Sequence, residues 1–345
     1  MTDPEHHPDP DPHPEPRPDR VVGGPFFDHL EHGRVFDRAP SVTLTDGLAA
    51  THQAILGDRL RLPLDHHLAR RVAGGPLSHP GMVADLAIGQ STLATHHVRA
   101  NLFYRGLRFH RLPKLGDTLS TRTTVVGLKR NTPRPDRPAT GLAALRITTT
   151  DQHGRTVLDF HRCAMLPLSP DAGPHTADHS DDLSRIGTDQ SAPWASPPGW
   201  DIAEFRRSVP GAGEPLPAPG TVLRSSGDVV SSAPELARLT LNIAATHHDS
   251  RAGGQRLVYG GHTIGLALAQ ATRLLPNLVT VLGWESCDHT GPVYEGDTLY
   301  SELHIEAAEP LPGDRGGVLR LRSLVHAVGD PDRQVLDWRF TALLF

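Results

Sequence analysis

Residues 242–275 read N-I-A-A-T-H-H-D-S-R-A-G-G-Q-R-L-V-Y-G-G-H-T-I-G-L-A-L-A-Q-A-T-R-L-L, and two features in them organise the chain. Gly260-Gly261 opens a segment in which Ile264, Ala267, Leu268, Ala271 and Leu275 recur at i, i+3, i+4, i+7 and i+11, the stripe of a packed helix. Ahead of it stand two polar side chains, Asn242 and His247. Positions five apart do not share a helical face, so the pair can cooperate only where a helix gives way to a loop. Polar groups facing the start of a buried helix suit a carbonyl oxygen that gains negative charge, because the first-turn N–H groups and the helix dipole both favour an anion.

Working outward, the landmarks recur. Gly116-Asp117-Thr118-Leu119 returns as Gly296-Asp297-Thr298-Leu299, an offset of 180, and Pro80-Gly81 returns as Gly260-Gly261 at the same offset. Apolar helical segments are predicted after each Pro/Gly pair, at 82–95 and 263–275. Alternating strands follow each G-D-T-L. Leu299, Leu303 and Ile305 face one way and Tyr300, Glu302 and His304 the other, Leu319, Leu321 and Val325 alternate with Arg320 and Arg322, and Leu336, Trp338, Phe340 and Leu344 share a face. In the first half 118–126, 141–150 and 156–166 play the same parts, with Gly154 marking a turn. Each half therefore reads as one long helix wrapped by an antiparallel sheet, an α+β layer arrangement in tandem.

Composition sets the outer limits. At 345 residues the chain is long enough for two domains. Residues 1–24 are a Pro-acid tail with almost nothing apolar to bury, expected to be disordered, and its histidines have no fold to preorganise a metal site. The first repeat spans 25–168, a Pro/Ser-rich linker 169–220, and the second repeat 221–345. Trp194, Trp200 and Phe205 suggest that the linker packs against the body. A net charge of −5 without a basic block argues against nucleic acid. Two cysteines, Cys163 and Cys287, are too few for a disulfide framework or a cysteine zinc site, which suits a cytoplasmic protein. No apolar run has membrane-spanning length, and the N-terminus lacks the basic-then-apolar pattern of a signal peptide.

The order and spacing of several strings carry a resemblance: R-L-V-Y-G-G-H at 256–262, L-T-L-N-I-A-A-T-H at 239–247, P-V-Y-E-G-D-T-L at 292–299, and in the first half V-V-G-L-K at 125–129 and G-R-T-V-L-D-F at 154–160. With them the chain resembles the MaoC-like double hot-dog enoyl-CoA hydratases, most of all mesaconyl-CoA hydratases (β-methylmalyl-CoA dehydratases), over all but the tail. The resemblance implies a tandem double hot-dog fold, an acyl-CoA substrate, no cofactor and no metal, and a homodimer or higher homo-oligomer. The family motif G-D-x-N-P-x-H sets an aspartate and a histidine five apart. Aligned on His247, this chain has Asn242 in place of the aspartate and Ala244-Ala245 in place of Asn-Pro. The first half keeps Gly57-Asp58 but has Pro63 where the histidine belongs, which implies scaffold and substrate enclosure without a dyad.

Hydration of an α,β-unsaturated thioester requires a base for water, a donor for the enolate oxygen and an acid for Cα. His247 is the candidate base, Asn242 the group that orients water or ring, and the N–H of Gly261, with Gly260 beside it, the oxyanion donor. Tyr259, His262, Arg251 and Arg256 are candidates for substrate contact, as is the basic run Arg105, Arg108, Arg111 and Lys114 for CoA phosphates. In a chain with 22 histidines a surface or packing role is the commoner fate of any one of them, and the arginines equally suit a solvated face. Asp117 and Asp297 occur in both copies and read as turn formers, not as acids. A carboxylate-bearing acyl group needs a cation in the pocket, and sequence does not say which. Three other functions fit less of the pattern: a non-catalytic acyl-CoA-binding or partner subunit, a hot-dog thioesterase, and an oxidoreductase using His247, Asp249 and His304 or His326 as metal ligands.

Overall fold

The computed structural model describes residues 23–135, 137–173, 176–189, 199–252, 254–313 and 316–345; the Pro-acid repeat and Trp194 lie outside them. The first half runs through two short strands, β1 (Val35–Phe36) and β2 (Val42–Thr43), and then α1 (Asp46–Leu56), α2 (Arg61–Leu64), α3 (His66–Ala73) and α4 (Pro80–Gln90). Four long strands follow, β3 (Ala100–Phe109), β4 (Thr118–Arg130), β5 (Thr140–Thr150) and β6 (Thr156–Pro167). The connection carries α5 (Ile202–Ser208). The second half repeats the plan with β7 (Val222–Arg224), β8 (Asp228–Val229), α6 (Ala233–Leu239), α7 (Gly260–Leu274), β9 (Leu278–His289), β10 (Thr298–Pro310), β11 (Gly317–Ala327) and β12 (Arg333–Leu344).

The two long helices form where sequence places them, with different ends. α4 starts at Pro80, whose missing N–H costs nothing at the first helical position, and His79 caps it by accepting from the N–H groups of Gly81 and Met82. It stops at Gln90, five residues short of the expected end, and passes into a 3-10 turn over Ser91–Ala94. α7 starts at Gly260. Neither helix has a solvated face: every residue from Gly261 to Thr272 is buried, because α4 and α7 pack on each other as well as on the sheet.

The antiparallel sheets of the two halves are joined edge to edge. Ten strands form a continuous antiparallel path, β1-β4-β5-β6-β3-β9-β12-β11-β10-β7, with β2 and β8 added at the sides. The join is β3 against β9, with Tyr104 opposite Cys287 and Arg105 opposite Ser286. Each of these strands would otherwise be an unpaired edge, so pairing them removes two edges at once. The sequence pattern overlooked both strands, since Arg105 and Arg108 interrupt the apolar alternation of β3.

The 180-residue offset survives at atomic detail. Gln90 Oε1 accepts from Thr121 Oγ1 at 2.6 Å and its amide donates to Leu119 O; Gln270 Oε1 accepts from Ser301 Oγ at 2.5 Å and its amide donates to Leu299 O. Each buried amide thus locks its helix to its own sheet, and being satisfied it carries no desolvation penalty. Asp117 accepts from the Lys114 N–H and Asp297 from the Tyr294 N–H, with Gly116 and Gly296 at φ +98° and +95°. The two aspartates are therefore occupied in matching turns. In the connection, Trp200 and Phe205 are buried with their rings 6.4 and 5.4 Å from that of Phe345. No helix among the described residues is long and apolar enough to cross a membrane.

Candidate active site

The loop after α6 is pinned before it reaches His247. Asn242 N donates to Ala237 O, the Asn242 side-chain oxygen accepts from Ala244 N at 3.0 Å, and Ala245 N donates across to His96 O at 2.9 Å. His247 then falls in a 3-10 turn over Ala245–His247. Asn242 and His247 both lie in the loop beyond α6, and no hydrogen bond joins them. His247 Nδ1 donates to Leu257 O at 2.8 Å; a carbonyl only accepts, so Nδ1 carries the proton and Nε2 keeps its lone pair. Burial holds the His247 imidazole at about 4, far below the ordinary 6.5, which leaves it neutral at pH 7.

His247 opens on a cavity of about 550 Å³, a size suited to an acyl group and its thioester. Of the candidate site residues, Asn242, His247, Tyr259 and Gly260 line it. Gly261 lies behind, where a Cβ would stand 2.1 Å from Asp85 Oδ1 and 2.5 Å from the Tyr259 ring. The N–H groups of Gly260 and Gly261 are in the first turn of α7 and have no acceptor within the helix. His262 is fully buried off the cavity, neither ring nitrogen has a partner, and burial holds it at about 4. Arg251 is exposed and bound to Asp249 at 2.7 Å, which turns the carboxylate of the His-x-Asp pattern outward. Arg256 does not line the cavity although Gln255 and Leu257 do. Lys114 donates to Gly74 O and Arg105 to Ser184 O, and none of the four residues of that basic run reaches the cavity.

The first half supplies the rest of the wall, which the sequence pattern did not single out. Thr92, Tyr104 and Arg162 line the cavity with His289 of β9. Burial raises the Tyr104 phenol well above its ordinary range and holds His289 at about 4. Tyr259 Oη donates to Asp85 Oδ1 at 3.2 Å, and Asp85 Oδ2 is 3.1 Å from His52 Nε2. A lone aspartate in the apolar run P-G-M-V-A-D-L-A-I-G-Q was a legible signal, because a carboxylate is rarely buried unless paired. For Arg162 the signal was strand alternation: Phe160, Arg162, Ala164 and Leu166 share the inward face of β6.

The first half is also not without a carboxylate–imidazole pair. Pro63 lies in α2, but Asp58 Oδ1 comes within 2.9 Å of His79 Nε2, both side chains being buried. Burial pushes the Asp58 carboxyl up, and the contact with His79 together with the Leu60 N–H outweighs this and holds it below the ordinary range. The pair is shut in the interior and lines none of the described cavities.

No family model matches the chain. Two solved structures share this architecture. A conserved hypothetical protein from Mycobacterium tuberculosis, described as essential for bacterial survival during infection and as having a double hot-dog fold, is 67% identical; the match covers 94% of this chain and 100% of that one with a TM-score of 0.90. A putative MaoC domain protein dehydratase from Chloroflexus aurantiacus is 27% identical over 93% of this chain and 97% of its own, with a TM-score of 0.78. The chain belongs to the MaoC-like double hot-dog family of hydratases and dehydratases. Among curated relatives, a beta-methylmalyl-CoA dehydratase from Chloroflexus aurantiacus is 28% identical, with 92% of this chain and 91% of that protein covered. A mesaconyl-CoA hydratase from Cereibacter sphaeroides is also 28% identical, with 88% and 89% covered.

Proposed function

We propose that this chain is a hydro-lyase that reversibly hydrates a short, branched α,β-unsaturated acyl-CoA, with mesaconyl-CoA to β-methylmalyl-CoA as the best-supported reaction. The observation that carries the reading is His247: a neutral imidazole with Nδ1 tied to Leu257 O, on the wall of a cavity that also meets the start of α7. The names of the 28%-identical relatives supply the acyl group.

His247 Nε2 takes a proton from water as the oxygen attacks Cβ. Charge moves onto the thioester oxygen, where the first turn of α7 at Gly260, the glycine that lines the cavity, stabilises the enolate through its N–H. The imidazolium then returns its proton to Cα, so that H and OH are added and nothing else is consumed. Asn242 replaces the family aspartate with a group that cannot take a proton; with its oxygen on Ala244 N, its part is to hold the loop and to offer its amide to water. Exposed Arg99 belongs to this cavity and to an adjoining one that also holds Arg130, and these two cations suit the CoA phosphates. Tyr259 keeps the cavity wall in register with α4 through Asp85.

The test is the loss of conjugated enoyl-thioester ultraviolet absorbance on adding the protein, repeated with His247→Ala. Undiminished turnover in the variant would remove His247 from the mechanism, and thiol release without hydration would make the protein a thioesterase.

A further inference from the structure

Arg162 is out of place in an apolar layer. It shares the inward face of β6 with Phe160, Ala164 and Leu166, and only 3% of its surface is exposed. Burying a charge costs several kcal/mol even after relaxation, so a buried guanidinium ordinarily has an anion beside it. Here its neighbours are all neutral. One Nη donates to Thr95 Oγ1 at 2.5 Å and to Ser91 O at 3.4 Å, Tyr104 is a further hydrogen-bonding neighbour, and Nε is buried without a partner. Among the described residues no carboxylate forms an ion pair with it. Asp85, the buried carboxylate of the adjacent network, is taken by Tyr259 and His52.

The cavity into which Arg162 is built is the one that holds His247. The other titratable groups on its inner wall are uncharged at neutral pH: His247 and His289 are held at about 4, and burial raises the phenols of Tyr104 and Tyr259. The remaining lining cation, Arg99, is exposed at the edge shared with the outer cavity. A mobile, strongly charged CoA phosphate suits that outer position. The inner guanidinium has no such partner and lies beside the reacting groups.

We propose that Arg162 is the receptor for a free carboxylate on the acyl group, so that the site selects α,β-unsaturated acyl thioesters bearing a second carboxyl over neutral ones. The proposal rests on the hydratase reading for its chemistry, and on geometry alone for its charge preference. A carboxylate at Arg162 forms charge-assisted hydrogen bonds in a dry site, the strongest polar contact available there. A neutral acyl chain leaves the guanidinium desolvated and unpaired.

The experiment compares mesaconyl-CoA with crotonyl-CoA in wild type, Arg162→Met and Arg162→Lys. The wild type is expected to favour the carboxylated thioester, and Arg162→Met to lower the ratio of the two kcat/KM values by about 10²-fold or more, the usual effect of truncating one member of a buried charge pair. Arg162→Lys, which keeps the charge but loses the planar fork, falls between, and it decides the matter if the Met variant does not fold. An unchanged ratio in the folded variants, or a wild type that prefers crotonyl-CoA, overturns the proposal and leaves the hydratase reading intact. If wild type turns over neither thioester, the hydratase reading fails, and calorimetric binding of methylsuccinyl-CoA against butyryl-CoA decides the charge preference. Tighter binding of the carboxylated ester that is lost in Arg162→Met supports Arg162 as receptor; equal affinities reject it.

Discussion

The two halves keep the same scaffold and differ where chemistry is placed. Gln90 and Gln270 make the same pair of bonds, and Asp117 and Asp297 accept from the same place in the same turn. At the same 180-residue offset, His79 faces Tyr259 as the residue ahead of the long helix, Asp85 faces Gly265, Tyr104 faces Trp284 and Arg162 faces Ala342. The matched scaffold positions satisfy buried polar groups within one half; His79 also stays within its half, on Asp58, whereas Asp85 and Arg162 reach the other. Asp85 of α4 bonds Tyr259 ahead of α7, and Arg162 of β6 lines the cavity of His247. Duplication therefore produced one composite cavity wall, not two independent ones.

Removing an imidazole from each half is the sharpest way to break this comparison. His247→Ala is expected to lower kcat by about 10²–10⁴-fold, the usual worth of a general base, with the folded fraction unchanged. His79→Ala removes the partner of buried Asp58 and is expected to cost about 3–5 kcal/mol of stability. Steady-state rates and urea midpoints on both variants separate the two roles. If His79→Ala abolished turnover at full stability, the division between chemical and structural halves would fail.

The paired glycines give a smaller contrast. A methyl at Gly261 meets two fixed neighbours, Asp85 Oδ1 and the Tyr259 ring, whereas at Gly81 it meets the His79 ring at 2.9 Å and a Leu268 methyl at 3.8 Å. Gly261→Ala is expected to cost about 1–3 kcal/mol and Gly81→Ala distinctly less, because the overpacking has fewer places to go at the first site. Thermal denaturation of the two variants side by side checks the order.

Acid sensitivity should follow the buried histidines of both halves, His52 in the first being lowered by burial as well. His247, His262 and His289 are each held at about 4 by burial, against 6.5 ordinarily. With the folded value depressed, the unfolded chain binds more protons in between. The stability they contribute is full above 6.5 and is lost as pH falls towards 4, at about 1.4 kcal/mol per pH unit for each histidine. Denaturation midpoints at pH 7, 6 and 5 measure the slope. The smallest effect is kinetic: kcat/KM should stay level down to pH 5 and fall towards 4 as His247 takes a proton, and an inflection at 6.5 would instead report an exposed histidine.

Much of this architecture is written locally. The G-D-T-L repeats, the Pro/Gly helix starts and the alternation of β10 to β12 each depend on a few neighbouring residues, so they can be read from the chain. Helix ends were legible to within a few residues, since capping by His79 depends on which ring nitrogen meets which N–H. The strands β3 and β9 escaped because their partner is the other half, and in β3 Arg105 and Arg108 also hide the alternation. Four of the candidate site residues reach the cavity; Arg162, Tyr104 and His289 were not among the candidates.

By itself, then, the sequence determined a duplicated α+β hot-dog chain and pointed to the loop of Asn242 and His247 ahead of Gly260. Only the tertiary structure decided that the cavity wall is shared, that Asp58 finds His79 despite Pro63, and that a buried arginine stands in the cavity without an anion. The physical reason is range. Turns, caps and alternation are set by contacts a few residues apart, whereas burial and pairing of a charge depend on what the rest of the chain brings within about 4 Å of it.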